Sequence, residues 1–157
     1  MQFQRKDKGK IKMITNKITI NKIVKTVELV CPMLKEKLVT EIYIVGSVAK
    51  GTAKEGSDID VYLINPLFKY QDHQWQTIIR PGLLTKKDIH IKKIVSYLTS
   101  VGVEFEIIEM KKGDHTYQLY EDEIFHFMYD YESESIKKAG EYIEITEELC
   151  NQISELE

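Results

Sequence analysis

Residues 44–64 read IVGSVAKGTAKEGSDIDVYLI, and this stretch predicts the fold around it. An apolar run ends at Gly46-Ser47, and a second apolar run begins with Asp58-Ile59-Asp60. Glycine lets a backbone approach a ligand closely, and the first turn of a helix has N–H groups without partners inside the helix. The stretch therefore predicts a strand, a tight turn that can receive a phosphate, and a second strand.

The second strand carries two acids on one face. Residues two apart on a strand share a face, so we expect the side chains of Asp58 and Asp60 to lie about 7 Å or less apart. Two bare carboxylates at that distance repel each other, and one pKa rises. A divalent cation removes that cost, and magnesium binds carboxylates together with substrate phosphates. Neither Gly-Ser nor Asp-x-Asp is specific alone, because acids are common on solvated strand edges.

A third carboxylate is expected on a neighbouring strand, because a second cation or the deprotonation of a nucleophile requires one. Residues 103–110, VEFEIIEM, alternate like a strand and place Glu104 and Glu106 on one face. Glu106 is preferred because it lies in the middle of that strand, and Glu104 is the alternative. Ser57 is predicted either to bond a phosphate or to cap the start of the second strand.

Together, Gly46-Ser47, ten intervening residues, Asp58-x-Asp60 and a later acid on a strand resemble the polymerase-beta-like nucleotidyltransferase superfamily. The chain is most similar to its short members, the minimal nucleotidyltransferases. The resemblance implies an α/β (α+β) fold, with a mixed β-sheet and helices packed on one face. The helical pattern before residue 41 and the strands on both sides of the motif agree with that fold.

The resemblance also implies a reaction and the residues that perform it. Such enzymes move a nucleoside monophosphate, here expected to be AMP from ATP, to an acceptor hydroxyl and release pyrophosphate. Two Mg²⁺ ions and a nucleoside triphosphate are the implied cofactor and substrate. The implied catalytic and metal-binding residues are Asp58, Asp60 and Glu106, and the implied nucleotide-binding residues are Gly46, Ser47 and Ser57.

The acceptor is left open by the sequence. Short members of the family act as antitoxins that modify a HEPN-type toxin, so a protein acceptor is one implied partner, and a homo-oligomer is compatible with the chain. Nucleic acid is less favoured because the net charge is −3. The alternative interpretation is a catalytically weak nucleotide-binding or protein-interaction module, because this chain offers Glu where the family usually has Asp.

The length of 157 residues fits one domain. Five Lys and Arg residues crowd positions 5–12, so residues 1–14 are interpreted as a flexible basic tail. Residues 15–157 are predicted to form a single nucleotidyltransferase domain, with a motif core at 41–110 and a C-terminal extension at 111–157.

Cysteine and apolar patterns predict a cytoplasmic protein without a membrane partner. Cys31 and Cys150 are too few and too distant in sequence to suggest a disulfide framework, and no apolar stretch approaches transmembrane length. No signal peptide is expected, because the first residues are charged and no apolar stretch follows them. The histidines show no metal-ligand spacing with one another and are interpreted as structural or exposed: His73, His90, His115 and His126.

Overall fold

A computed structural model describes residues 3–7, 10–65, 86–110, 117–121, 124–130 and 132–155. The strands in these residues are β1 (Phe3–Asp7), β2 (Lys10–Ile14), β3 (Glu41–Val45), β4 (Ile59–Ile64), β5 (Phe105–Met110), β6 (Tyr117–Glu121), β7 (Phe125–Asp130) and β8 (Glu141–Ile145). The helices are α1 (Lys17–Lys35), α2 (Gly46–Lys50), α3 (Lys86–Ser100), α4 (Glu134–Ala139) and α5 (Glu147–Glu155).

The described strands form one mixed sheet in the order β2-β1-β8-β3-β4-β7-β6-β5. Strands β4 and β7 are parallel, and the other described pairs are antiparallel. The predicted mixed sheet is confirmed. Strand β8 was not predicted, although it lies between β1 and β3, because its five residues fall between a helix ended by Gly140 and the Thr146 cap of the next helix.

The main core lies between the sheet and four helices, α1, α2, α3 and α5. Ile59, Val61 and Leu63 of β4 are fully buried and belong to one cluster with apolar residues of α1, α3 and α5. Helix α1 begins after Asn16, whose side chain accepts a hydrogen bond of 3.0 Å from the backbone N–H of Thr19. Because Ile59, Val61 and Leu63 face this core, the alternate positions of β4, which include Asp60, point to the opposite face of the sheet.

A smaller cluster lies on that opposite face. It contains Tyr43, Ile64, Tyr142 and, from the short helix α4, Ile136. Four of the described helices thus pack on one face, as predicted, and the short helix α4 packs on the other. Tyr62, which points to the same face of β4 as Asp60, is only partly buried, so α4 leaves space beside Asp60.

The expected flexible tail at residues 1–14 is wrong for its described part. Strands β1 and β2 form an antiparallel hairpin, and β1 pairs with β8 through Lys6 and Tyr142. Phe3 and Ile14 are almost fully buried. The apolar residues that anchor the hairpin are spread among lysines, so the local sequence looks solvated even though tertiary packing makes it a strand.

The two cysteines also differ from expectation, because Cys31 of α1 and Cys150 of α5 form a disulfide whose Cα atoms are 5.9 Å apart. Folding brings together residues separated by 119 positions, which sequence spacing alone does not reveal. The cytoplasmic prediction assumed reduced thiols, and disulfides persist mainly in oxidising compartments. No helix in the described part of the chain is long and apolar enough to cross a bilayer.

Reducing this disulfide is expected to lower the free energy of unfolding by about 2–4 kcal/mol, because the crosslink restricts the unfolded chain. Urea denaturation with and without a reductant measures the change. The Cys31→Ser/Cys150→Ser double variant is the control, and its midpoint should not respond to reductant. A wild-type midpoint that reductant leaves unchanged would show that the bond adds no stability.

Candidate functional site

The turn after β3 is built around two glycines with positive φ. Gly46, at φ 71°, begins α2, and Gly51, at φ 77°, ends it in the left-handed conformation. A Cβ on Gly46 would overlap Oδ2 of Asp60 and lie 3.4 Å from Cγ of that residue. Only glycine therefore allows the carboxylate to lie directly against the backbone at the start of α2.

Strand pairing places Asp60 at this turn. In the antiparallel β3–β4 pair, Asp60 lies opposite Val45, the residue before Gly46. The side chain of Asp60 is 32% exposed, so it is partly desolvated yet open to a ligand. Burial raises the pKa of Asp60, His126 opposes that rise through its hydrogen bond and charge, and the carboxylate of Asp58 raises the pKa further. Asp58 itself is exposed and lies immediately before β4.

The strand beside β4 contributes a histidine that sequence reasoning interpreted only as structural or exposed. In the parallel β4–β7 pair, His126 lies opposite Asp60, and its Nδ1 is 3.2 Å from Oδ1 of that carboxylate. The signal that could have found it is the alternation in β7. Phe125, Phe127 and Tyr129 are buried in the main core, which directs His126 to the face of Asp60.

The strand that was predicted to carry the third carboxylate does not lie beside β4. Strand β5, which contains Glu106, lies at the edge of the sheet, and β6 and β7 separate it from β4. Three strand spacings amount to about 14 Å between the backbones of β4 and β5. The prediction that this strand neighbours β4 is therefore wrong. Glu104, the alternative, is exposed just before β5, and we assign neither glutamate to the site.

Ser57 has a structural role in the loop that leads into β4. Its hydroxyl accepts a hydrogen bond of 3.0 Å from the backbone N–H of Lys54. Lys22 of α1, which sequence reasoning did not single out, donates from Nζ to the carbonyls of Glu55 and Ser57 at 3.0 and 2.9 Å. These contacts hold the loop against α1, and the role of Ser57 in nucleotide binding stays a prediction.

A cleft of about 590 Å³ opens beside Gly46, between α2 and α4. Its walls include Lys50, the ring of Tyr62 and the apolar side chain of Ile136. Glu141 lines the same cleft and pairs with Arg5 of β1 at 3.2 Å, while Arg5 also donates to the carbonyl of Lys50. The hairpin thus supports one wall of the cleft, whose volume lies within the range of small-molecule sites.

The donor set at this turn suits a hard divalent cation that is shared with a ligand. Among the described residues, no three His, Cys, Asp or Glu side chains form a group that could hold a metal ion by themselves. Asp58 and Asp60 supply two carboxylates, and burial together with the nearby charge of Asp58 raises the pKa of Asp60. Magnesium is commonly held by one or two carboxylates plus substrate phosphates, so the residues present fit it.

The comparisons with known proteins identify a family for most of the chain. A family model described as a nucleotidyltransferase domain matches residues 23–148, which include Gly46, Asp58, Asp60 and His126. No curated protein and no solved structure matches the chain significantly.

Proposed function

The chain belongs to the nucleotidyltransferase domain family, and we propose that it moves AMP from ATP to an acceptor hydroxyl. In this reaction the acceptor oxygen bonds to the α-phosphorus, the bond from that phosphorus to the bridging oxygen breaks, and pyrophosphate leaves. The acceptor hydroxyl gives up its proton. The observation that carries the proposal is the contact between Gly46 and Asp60, which joins the turn and the acid strand in one site.

The chain's own residues have separate tasks in this proposal. Gly46 and Ser47 receive the triphosphate at the start of α2, where no Cβ blocks its approach. Asp58 and Asp60, together with phosphate oxygens, hold Mg²⁺. Bound magnesium neutralises charge on the phosphate and pyrophosphate oxygens. Two protein carboxylates fit one ion well, and the second Mg²⁺ remains a prediction from the resemblance.

The cleft and the resemblance guide the choice of acceptor. The cleft beside Gly46 offers space next to the reacting phosphate, and its wall mixes the Tyr62 ring with Lys50 and Glu141. We propose a protein hydroxyl as the acceptor, with a HEPN-type toxin as the partner that the resemblance implies. A small molecule and an RNA end are the alternative acceptors.

Transfer of labelled nucleotide tests the function without knowledge of the acceptor. The protein is incubated with Mg²⁺ and a cell lysate freed of small molecules, using ATP labelled either at the α-phosphate or at the γ-phosphate. The proposal expects enzyme-dependent label in a product from α-labelled ATP only. Label from γ-labelled ATP would indicate phosphoryl transfer instead. No enzyme-dependent label with any of the four nucleoside triphosphates would favour the weak binding module.

A further inference from the structure

His126 lies where the resemblance leads one to expect a third carboxylate. The strand next to β4 on this side is β7, and the residue of β7 opposite Asp60 is a histidine. Both side chains are about one-third exposed, at 31% for His126 and 32% for Asp60, so the pair faces the open side of the sheet. At this position the chain therefore presents an imidazole instead of another anion.

The two oxygens of the Asp60 carboxylate have different surroundings. Oδ1 is 3.2 Å from Nδ1 of His126, whereas Oδ2 lies against the Cα of Gly46. The χ2 angle of aspartate, about the Cβ–Cγ bond, takes a broad range of values, so a carboxylate without such contacts rotates readily. A hydrogen bond to one oxygen restricts that rotation, and partners that orient a metal ligand in this way commonly affect metal affinity.

We propose that His126 is a positioning residue, which donates from Nδ1 to Oδ1 of Asp60 and thereby presents Oδ2 to the cation beside Gly46. This inference rests on the proposed function, because it concerns the same cation site. Because an imidazole occupies this position on β7, phosphate oxygens of the nucleotide supply ligands that a carboxylate there would have given the cation, so cation and nucleotide bind with strong mutual dependence.

A matched pair of substitutions tests the role of His126. His126→Asn keeps a donor on a δ atom, whereas His126→Leu has similar branching without one. The measurement is Mn²⁺ affinity by electron paramagnetic resonance, in the presence of a non-hydrolysable ATP analogue. We expect the Kd for Mn²⁺ to rise about 10–100-fold in His126→Leu. In His126→Asn it should stay within about threefold of wild type, well inside the tenfold that about 1.4 kcal/mol represents.

The outcomes separate the inference from the proposed function. Wild-type affinity in His126→Leu would overturn the positioning role alone. Equal losses in both variants would also overturn it, because they would identify the imidazole as a direct ligand. Absence of any Mn²⁺ binding to the wild-type protein with the analogue would overturn the proposed cation site, and this inference with it.

A second readout requires no cation. If Nδ1 donates to Asp60, the neutral ring of His126 carries its proton on Nδ1. Long-range proton–nitrogen NMR correlations of the metal-free protein report which ring nitrogen is protonated. A neutral ring protonated only on Nε2 would contradict the proposal, since Nδ1 could then not donate.

Discussion

Asp60→Asn is expected to lower nucleotidyl transfer by about 10³-fold or more, because it removes a charged ligand from the site where charge develops on the phosphates. Asparagine has nearly the same size and shape as aspartate, so its side chain still packs against Gly46. Transfer of label from α-labelled ATP measures the loss. Glu55→Gln is the matched control, since it removes one negative charge at an exposed position of the loop that leads into β4. Its transfer rate should stay close to wild type.

The same variant should fold at least as well as wild type when no metal is present. Burial raises the pKa of Asp60, so the folded state favours the protonated acid. Such a group stabilises the fold below the unfolded-state pKa, and this contribution is lost as pH rises through the raised folded-state pKa. At neutral pH, Asp60→Asn should therefore match or exceed the wild-type Tm, and the difference should shrink in acid. A Tm of Asp60→Asn far below that of wild type at neutral pH would show that the Asp60 carboxylate itself stabilises the fold.

Gly46→Ala is expected to abolish detectable transfer and to destabilise the fold. The new Cβ would overlap Oδ2 of Asp60, and alanine at φ 71° costs about 1–2 kcal/mol by itself. Displacement of the carboxylate adds about 1–3 kcal/mol, as other overpacked sites do. Urea denaturation measures the stability, and label transfer measures the activity.

Two further variants separate the backbone cost from the overlap with Asp60. Gly102 has a φ of 98°, and nothing lies within 4 Å of the position that a Cβ would occupy there, so Gly102→Ala isolates the backbone cost. In an Asp60→Ala background the nearest of the three atoms that remains beside the Gly46→Ala methyl group is the Cβ of residue 60 at 3.7 Å, an ordinary contact. In that background Gly46→Ala should lower the free energy of unfolding by about as much as Gly102→Ala does. If Gly46→Ala instead lowers it equally with and without Asp60, the carboxylate does not lie against Gly46.

Local patterns were sufficient for the part of the site that is continuous in sequence. Gly46, Ser47, Asp58 and Asp60 lie within one strand–turn–strand unit, whose geometry follows from period-two alternation and from glycine's access to positive φ. The family match over residues 23–148 confirms the superfamily that this unit suggested.

The remaining features depend on which strands become neighbours, and local alternation carries no such information. Strands β5 and β7 both alternate between apolar and polar residues, but of these two only β7 lies beside β4. His126 of β7, and not Glu106 of β5, is therefore opposite Asp60. The hairpin and the disulfide were missed for the same reason. Phe3 is buried, and Cys31 meets Cys150, only after the sheet and helices have assembled.

The central claim is that Asp60, held against Gly46, is where cation and triphosphate meet. Isothermal titration calorimetry of a non-hydrolysable ATP analogue, with and without Mg²⁺, tests it most directly. The wild-type protein should bind at least about tenfold more tightly with Mg²⁺, which corresponds to about 1.4 kcal/mol, and Asp60→Asn should lose this dependence while Glu55→Gln keeps it. Equal dependence on Mg²⁺ in Asp60→Asn and wild type would contradict the account.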